Sequence, residues 1–80
     1  MYTVLEEKGI RAYLEKRGLL KRYKEKKELF KKGKIQQITL KKRQPKSSGE
    51  YQFRITKKYR AYGYFFNPDV FIVTEISDHQ

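Results

Sequence analysis

The stretch Tyr51-Gln52-Phe53-Arg54-Ile55-Thr56-Lys57-Lys58-Tyr59-Arg60-Ala61-Tyr62-Gly63-Tyr64 decides the fold. Tyr51, Phe53 and Ile55 alternate with Gln52, Arg54 and Thr56. That period of two is the mark of a strand with one buried face. Thr56–Lys58 reads as a turn, and Tyr59–Phe66 as a second, aromatic-rich strand. Asn67-Pro68-Asp69 is a strong turn signal. Val70–Ile76 follows with apolar residues on both faces, which predicts a central strand. Upstream, Ile35–Lys42 alternates and holds β-branched residues, so it reads as a further strand. Gln44–Gly49, Gln-Pro-Lys-Ser-Ser-Gly, is the loop between them.

The first third of the chain has a different grammar. From about Glu6 good helix formers dominate, with Ile10, Tyr13 and Leu14 at helical spacing. Gly18 ends that run, and Lys16 and Arg17 lie in its last turn, where cations suit the helix dipole. A second helix is predicted over Leu19–Lys32, with an apolar stripe of Leu19, Leu20, Tyr23 and Phe30, stopped by Gly33. One continuous helix would place Lys16 and Lys27 in the stripe, so a helical hairpin fits better. Met1–Leu5 reads equally as a helix start or a short edge strand. Helices first and strands afterwards mean α+β. The expected architecture is one domain over residues 1–80: a two-helix hairpin on one face of a four-stranded antiparallel sheet. The other sheet face is left free.

Composition narrows the function. The 80 residues hold no cysteine and one histidine. Disulfides and a zinc site are therefore not expected, and a cytoplasmic protein without a metal or other cofactor is. No apolar run approaches the roughly 20 residues that span a bilayer, and no apolar signal core opens the chain. Twenty Lys and Arg oppose nine acids, for a net charge of +11. Residues 1–46 contain sixteen of the basic residues and five of the acids, so that part carries the whole excess. Such asymmetry points to polyanionic partners, RNA, DNA or acidic protein segments, without specifying which.

The catalytic constellations that need a Gly-rich phosphate loop, a Cys or Ser nucleophile beside His, or paired acids at metal-ligand spacing are missing. Arg54, Arg60, the Lys41-Lys42-Arg43 cluster, Glu50, the tyrosines and His79 remain. That set suits phosphate chemistry without a metal. RNA carries its own nucleophile, the 2′-hydroxyl. A protein need only accept its proton, stabilise the charged phosphorane and protonate the leaving 5′ oxygen. Arginine serves the second task through charge-assisted bonds, and histidine the first or the third. The duller readings are a solvated strand end for Lys41–Arg43, a frayed terminus for His79 and sheet packing for the tyrosines.

Arg54 and Arg60 can share a phosphate only on one sheet face. A two-residue loop at Lys57-Lys58 would separate them. A three-residue loop, Thr56–Lys58, sets them directly opposite each other. The turn lacks Gly, Asn and Asp, which leans toward the longer loop or a bulge.

The motif Tyr51–Tyr64, with Ser48-Gly49 upstream and Asp69–Val73 leading to Ile76-Ser77-Asp78-His79, resembles RelE/ParE-superfamily toxins of bacterial toxin–antitoxin pairs. It is most similar to their YoeB-like branch. The resemblance implies endonucleolytic cleavage of mRNA on the ribosome, and neutralisation by a cognate antitoxin protein. It implies that Arg54 and Arg60 contact the phosphate and that His79 transfers a proton. Lys41, Lys42, Arg43, Tyr62 and Tyr64 become candidate substrate-binding residues, Tyr62 and Tyr64 for base stacking. Two positions depart from the branch: Lys41 stands where it has a Glu, and Gln80 where it has a terminal Tyr. The alternatives are a non-catalytic relative, such as the gyrase-inhibiting ParE branch, and a plain basic nucleic-acid-binding domain.

Overall fold

A computed structural model describes residues 1–43 and 48–78. The elements run β1 (Thr3–Glu6), α1 (Ile10–Lys16), α2 (Leu20–Lys31), β2 (Lys41–Lys42), β3 (Glu50–Arg54), β4 (Tyr59–Asn67) and β5 (Val70–Asp78). The fold is α+β. Its sheet has five strands in the order β1-β5-β4-β3-β2. The expected four-stranded antiparallel sheet is corrected here. β2 to β5 are antiparallel neighbours, but β1 joins beside β5 in parallel, so the sheet is mixed. β1 takes Thr3–Glu6 out of the helical run, and α1 begins only at Ile10.

The strand expected over Ile35–Lys42 is also corrected. Ile35–Ile38 forms a 3-10 turn, and only Lys41–Lys42 pairs, with Gln52 and Tyr51. Two isoleucines three residues apart eclipse on a 3-10 turn, and here the second one, Ile38, is fully buried. Thr39 ends the turn at φ 55°, a left-handed conformation that costs a β-branched residue strain. The loop expected over Gln44–Gly49 lies, for residues 44–47, outside the described residues.

The helical hairpin packs on the sheet face carrying Phe53, Ala61, Phe71, Val73 and Ile76. Gly18 makes the hairpin possible. Its φ of +70° reverses the chain while the Gly18 and Leu19 N–H groups donate back to Glu15 and Leu14. Phe30 of α2 is the hub of an aromatic core, with ring centroids 5.4 Å from Tyr2, 5.5 Å from Phe53 and 5.0 Å from Phe71. These tilted and edge-on pairs add to what area burial alone contributes. Below the hairpin the Tyr23 hydroxyl donates to Glu6 Oε2 at 2.6 Å, and Lys27 Nζ reaches the same oxygen at 2.9 Å. Burial, and then the Glu6 carboxylate, push the Tyr23 phenol well above its ordinary pKa.

β4 and β5 slip register twice, between Tyr62 and Gly63 and between Phe65 and Asn67. At the first slip Thr74 is the extra residue, and its hydroxyl donates to the Tyr62 carbonyl at 3.4 Å. The bulge resets the alternation, so Phe71, Val73 and Ile76 all face the helices. Gly63 is required there, since a Cβ would fall on the Ile72 carbonyl oxygen and lie 2.8 Å from the Phe71 ring.

Candidate nucleic-acid interface

Residues directly opposite in a ladder share a face. The register therefore reads out the free side of the sheet. Phe53 lies opposite Ala61, and both are buried under the helices. The neighbouring rows must then point the other way. One row joins Arg54, Arg60 and Ser77. The next joins Lys41, Gln52, Tyr62 and Glu75. A third joins Glu50, Tyr64, Ile72 and Leu5.

The first row is set by the loop Thr56–Lys58. Ile55 N–H donates to the Tyr59 carbonyl at 3.0 Å, and the Thr56 hydroxyl accepts from the Lys58 and Tyr59 N–H groups at 3.2 and 3.0 Å. A hydroxyl that ties down its own turn replaces the glycine or asparagine of a tighter one. Three loop residues leave Arg54 directly opposite Arg60. Two like charges in that position repel. Among the described residues neither guanidinium forms an ion pair. Arg60 Nη1 is buried and, among the described residues, has no hydrogen-bond partner. A guanidinium donor without an acceptor is costly, and an anion between the two arginines would relieve their repulsion.

Arg43, opposite Glu50 in the third row, reaches over the Tyr62 ring of the second, its Cζ 4.1 Å from the centroid. Its Nη1 also contacts Glu50 Oε1 at 3.3 Å and Glu75 Oε1 at 3.2 Å. Its backbone N–H donates to the Glu50 carbonyl at 2.8 Å, extending the β2–β3 ladder by one residue. Arg43 is thus held on three sides, by a cation–π contact and two carboxylates.

The candidate residues are not all brought together. Arg54, Arg60, Lys41, Arg43, Tyr62 and Tyr64 share the free face. Lys42 does not: it pairs with Tyr51, whose ring packs 5.1 Å from Phe65 on the helix side. Tyr62, expected to stack on bases, is 5 % exposed under Arg43. Tyr64 remains open at 37 %. His79 and Gln80 lie outside the described residues. Glu75 escaped the sequence reading, because simple alternation puts it on the buried side with Val73. The signal was the apolar spacing itself: Phe71 to Val73 is two, Val73 to Ile76 is three, and the extra residue is the bulge.

Among the described residues no group of three His, Asp or Glu side chains is placed to hold a metal ion, and no helix is long and apolar enough to cross a membrane. No protein-family model, curated protein or solved structure matches the chain.

Proposed function

We propose that the chain is a toxin of the RelE/ParE type that cleaves mRNA on the ribosome without a metal, works in the cytoplasm and is neutralised by a cognate antitoxin. The observation that carries this reading is the arginine pair on the free sheet face, which forms no ion pair among the described residues. A phosphorane is doubly charged, and two guanidinium groups that converge on it stabilise it more than they stabilise the ground-state diester. In this reading Arg54 and Arg60 hold the scissile phosphate, His79 moves a proton, and Lys41 and Tyr64 contact flanking nucleotides. The basic excess of residues 1–46 supplies sequence-independent attraction to ribosomal or messenger RNA.

A second reading, a non-catalytic relative that acts on gyrase or simply binds nucleic acid, gains from the covered Tyr62 and from Lys41 in the position of an acid. Inducible expression separates the two. The nuclease reading expects growth arrest with new 5′-hydroxyl ends inside translated messages, lost in Arg54→Ala and Arg60→Ala chains that still fold. Arrest with DNA breaks and intact messages would move the assignment to the second reading.

A further inference from the structure

The free face offers an arginine pair for the phosphate, but the 2′-hydroxyl proton also needs an acceptor there. Among the described residues two carboxylates lie on that face, Glu50 and Glu75. Glu50 is opposite Tyr64 and four residues along β3 from Arg54. At about 3.3 Å per residue its backbone lies about 13 Å from that of Arg54, and its side chain leans toward Arg43. Glu75 is opposite Tyr62, one row from the pair formed by Arg60 and Ser77. It is therefore the diagonal neighbour of Arg60 across β4 and β5, about 7–8 Å away at the backbone and within reach of long side chains.

Glu75 is also oriented. Its Oε1 contacts Arg43, which is itself fixed by the Tyr62 ring beneath and by Glu50 on its other side. Its side chain is 50 % exposed, so substrate can reach it. On the described part of the free face it is the acidic residue whose backbone lies nearest the row of Arg54 and Arg60.

We propose that Glu75 is the general base of the cleavage, and that Arg43 is its positioning residue rather than a contact to RNA. This rests on the nuclease reading above. The O–H bond of the 2′-hydroxyl breaks as its proton passes to Glu75. The 2′ oxygen bonds to phosphorus, and the P–O5′ bond breaks. The departing 5′ oxygen takes a proton from water. The products are a 2′,3′-cyclic phosphate and a 5′-hydroxyl, and Glu75 returns its proton to solvent.

The test uses the full chain, translated mRNA on ribosomes and the variants Glu75→Gln and Glu75→Asp, with cleavage rates followed across pH. Gln keeps the size and an oxygen for Arg43 but cannot take the proton. Glu75→Gln should lower the cleavage rate about 10²–10⁴-fold and abolish the acidic limb of the pH profile. Its affinity for a 2′-deoxy analogue and its melting temperature should stay close to wild type. Glu75→Asp keeps the base at shorter reach and should recover part of the rate together with the acidic limb. A Glu75→Gln chain that cleaves within about fivefold of wild type, with its acidic limb intact, overturns the proposal and leaves the nuclease reading standing. A wild-type chain that cuts no RNA removes both.

Discussion

Arg60→Met should make the protein more stable while removing half of the proposed phosphate site. Methionine keeps the length of the apolar stem and deletes the guanidinium. Two terms change. The first is repulsion from Arg54, directly opposite. Unit charges about 5 Å apart repel by about 0.8 kcal/mol in water and about 3 kcal/mol at an effective dielectric of 20. Arg54 is exposed and can swing away, so the lower end applies. The second is the buried Nη1 without a partner among the described residues, a cost of about 1–3 kcal/mol. Together, after relaxation, about 1–2 kcal/mol should be recovered. For a domain of this size that raises the melting temperature by about 4–16 °C. The assay is thermal unfolding of both chains, alone and with a cleavage-resistant 2′-deoxy oligonucleotide. Wild type should gain stability from the oligonucleotide by mass action, and Arg60→Met should gain far less. An Arg60→Met chain that melts below wild type, or one that keeps the full oligonucleotide shift, would refute the reasoning. Stability held back at a site in this way is common where function needs a group the fold does not.

Three further outcomes are expected. Gly63→Ala should cost about 3 kcal/mol or more in urea unfolding, because its Cβ meets the Ile72 carbonyl and the Phe71 ring at the β4–β5 slip. Tyr23→Phe should cost about 1.5–3 kcal/mol by removing a bond to the largely buried Glu6 carboxylate. The Tyr23 phenol has its folded-state pKa raised above 10.0, mainly by burial, so its contribution is whole below about pH 10 and is lost as pH rises further. The stability difference between wild type and Tyr23→Phe, measured from pH 8 to pH 11, should therefore shrink at the alkaline end; a constant difference would contradict the assignment. Binding of single-stranded RNA should weaken with salt, with a log–log slope near −0.7 per neutralised phosphate, and a flat response would mean that the basic half faces only solvent.

The legible parts of the fold were those with a local period. Tyr51, Phe53 and Ile55 announced β3, and a turn without Gly, Asn or Asp announced the loop that sets Arg54 opposite Arg60. The illegible parts depended on distant partners. Four residues of β1 carry no decisive pattern, and only Val70–Val73 beside them makes them a strand. Ile35–Ile38 has the β-branched content of a strand, but burial of Ile38 under α2 favours a 3-10 turn instead. The cluster around Arg43 joins residues 32 positions apart, and Glu75 reaches it only because Thr74 bulges. A base on the wrong side of an alternation is invisible until the slip that turns it over is known.

The parallel pairing of β1 with β5 has a consequence for how the chain folds. The earliest strand in the sequence needs the latest one as its partner, with Thr3 N–H donating to the Asp69 carbonyl and Glu7 N–H to the Val73 carbonyl. Closing that contact gathers nearly the whole chain into one loop, whose entropy must be overcome before the contact gives anything back. The hairpin of β3 and β4 can form early, from neighbours. β1 cannot join until β5 has been synthesised and laid down, and until then the apolar side of the two helices has no completed sheet to cover. During synthesis the apolar side of the helical half is therefore exposed first and fully covered last.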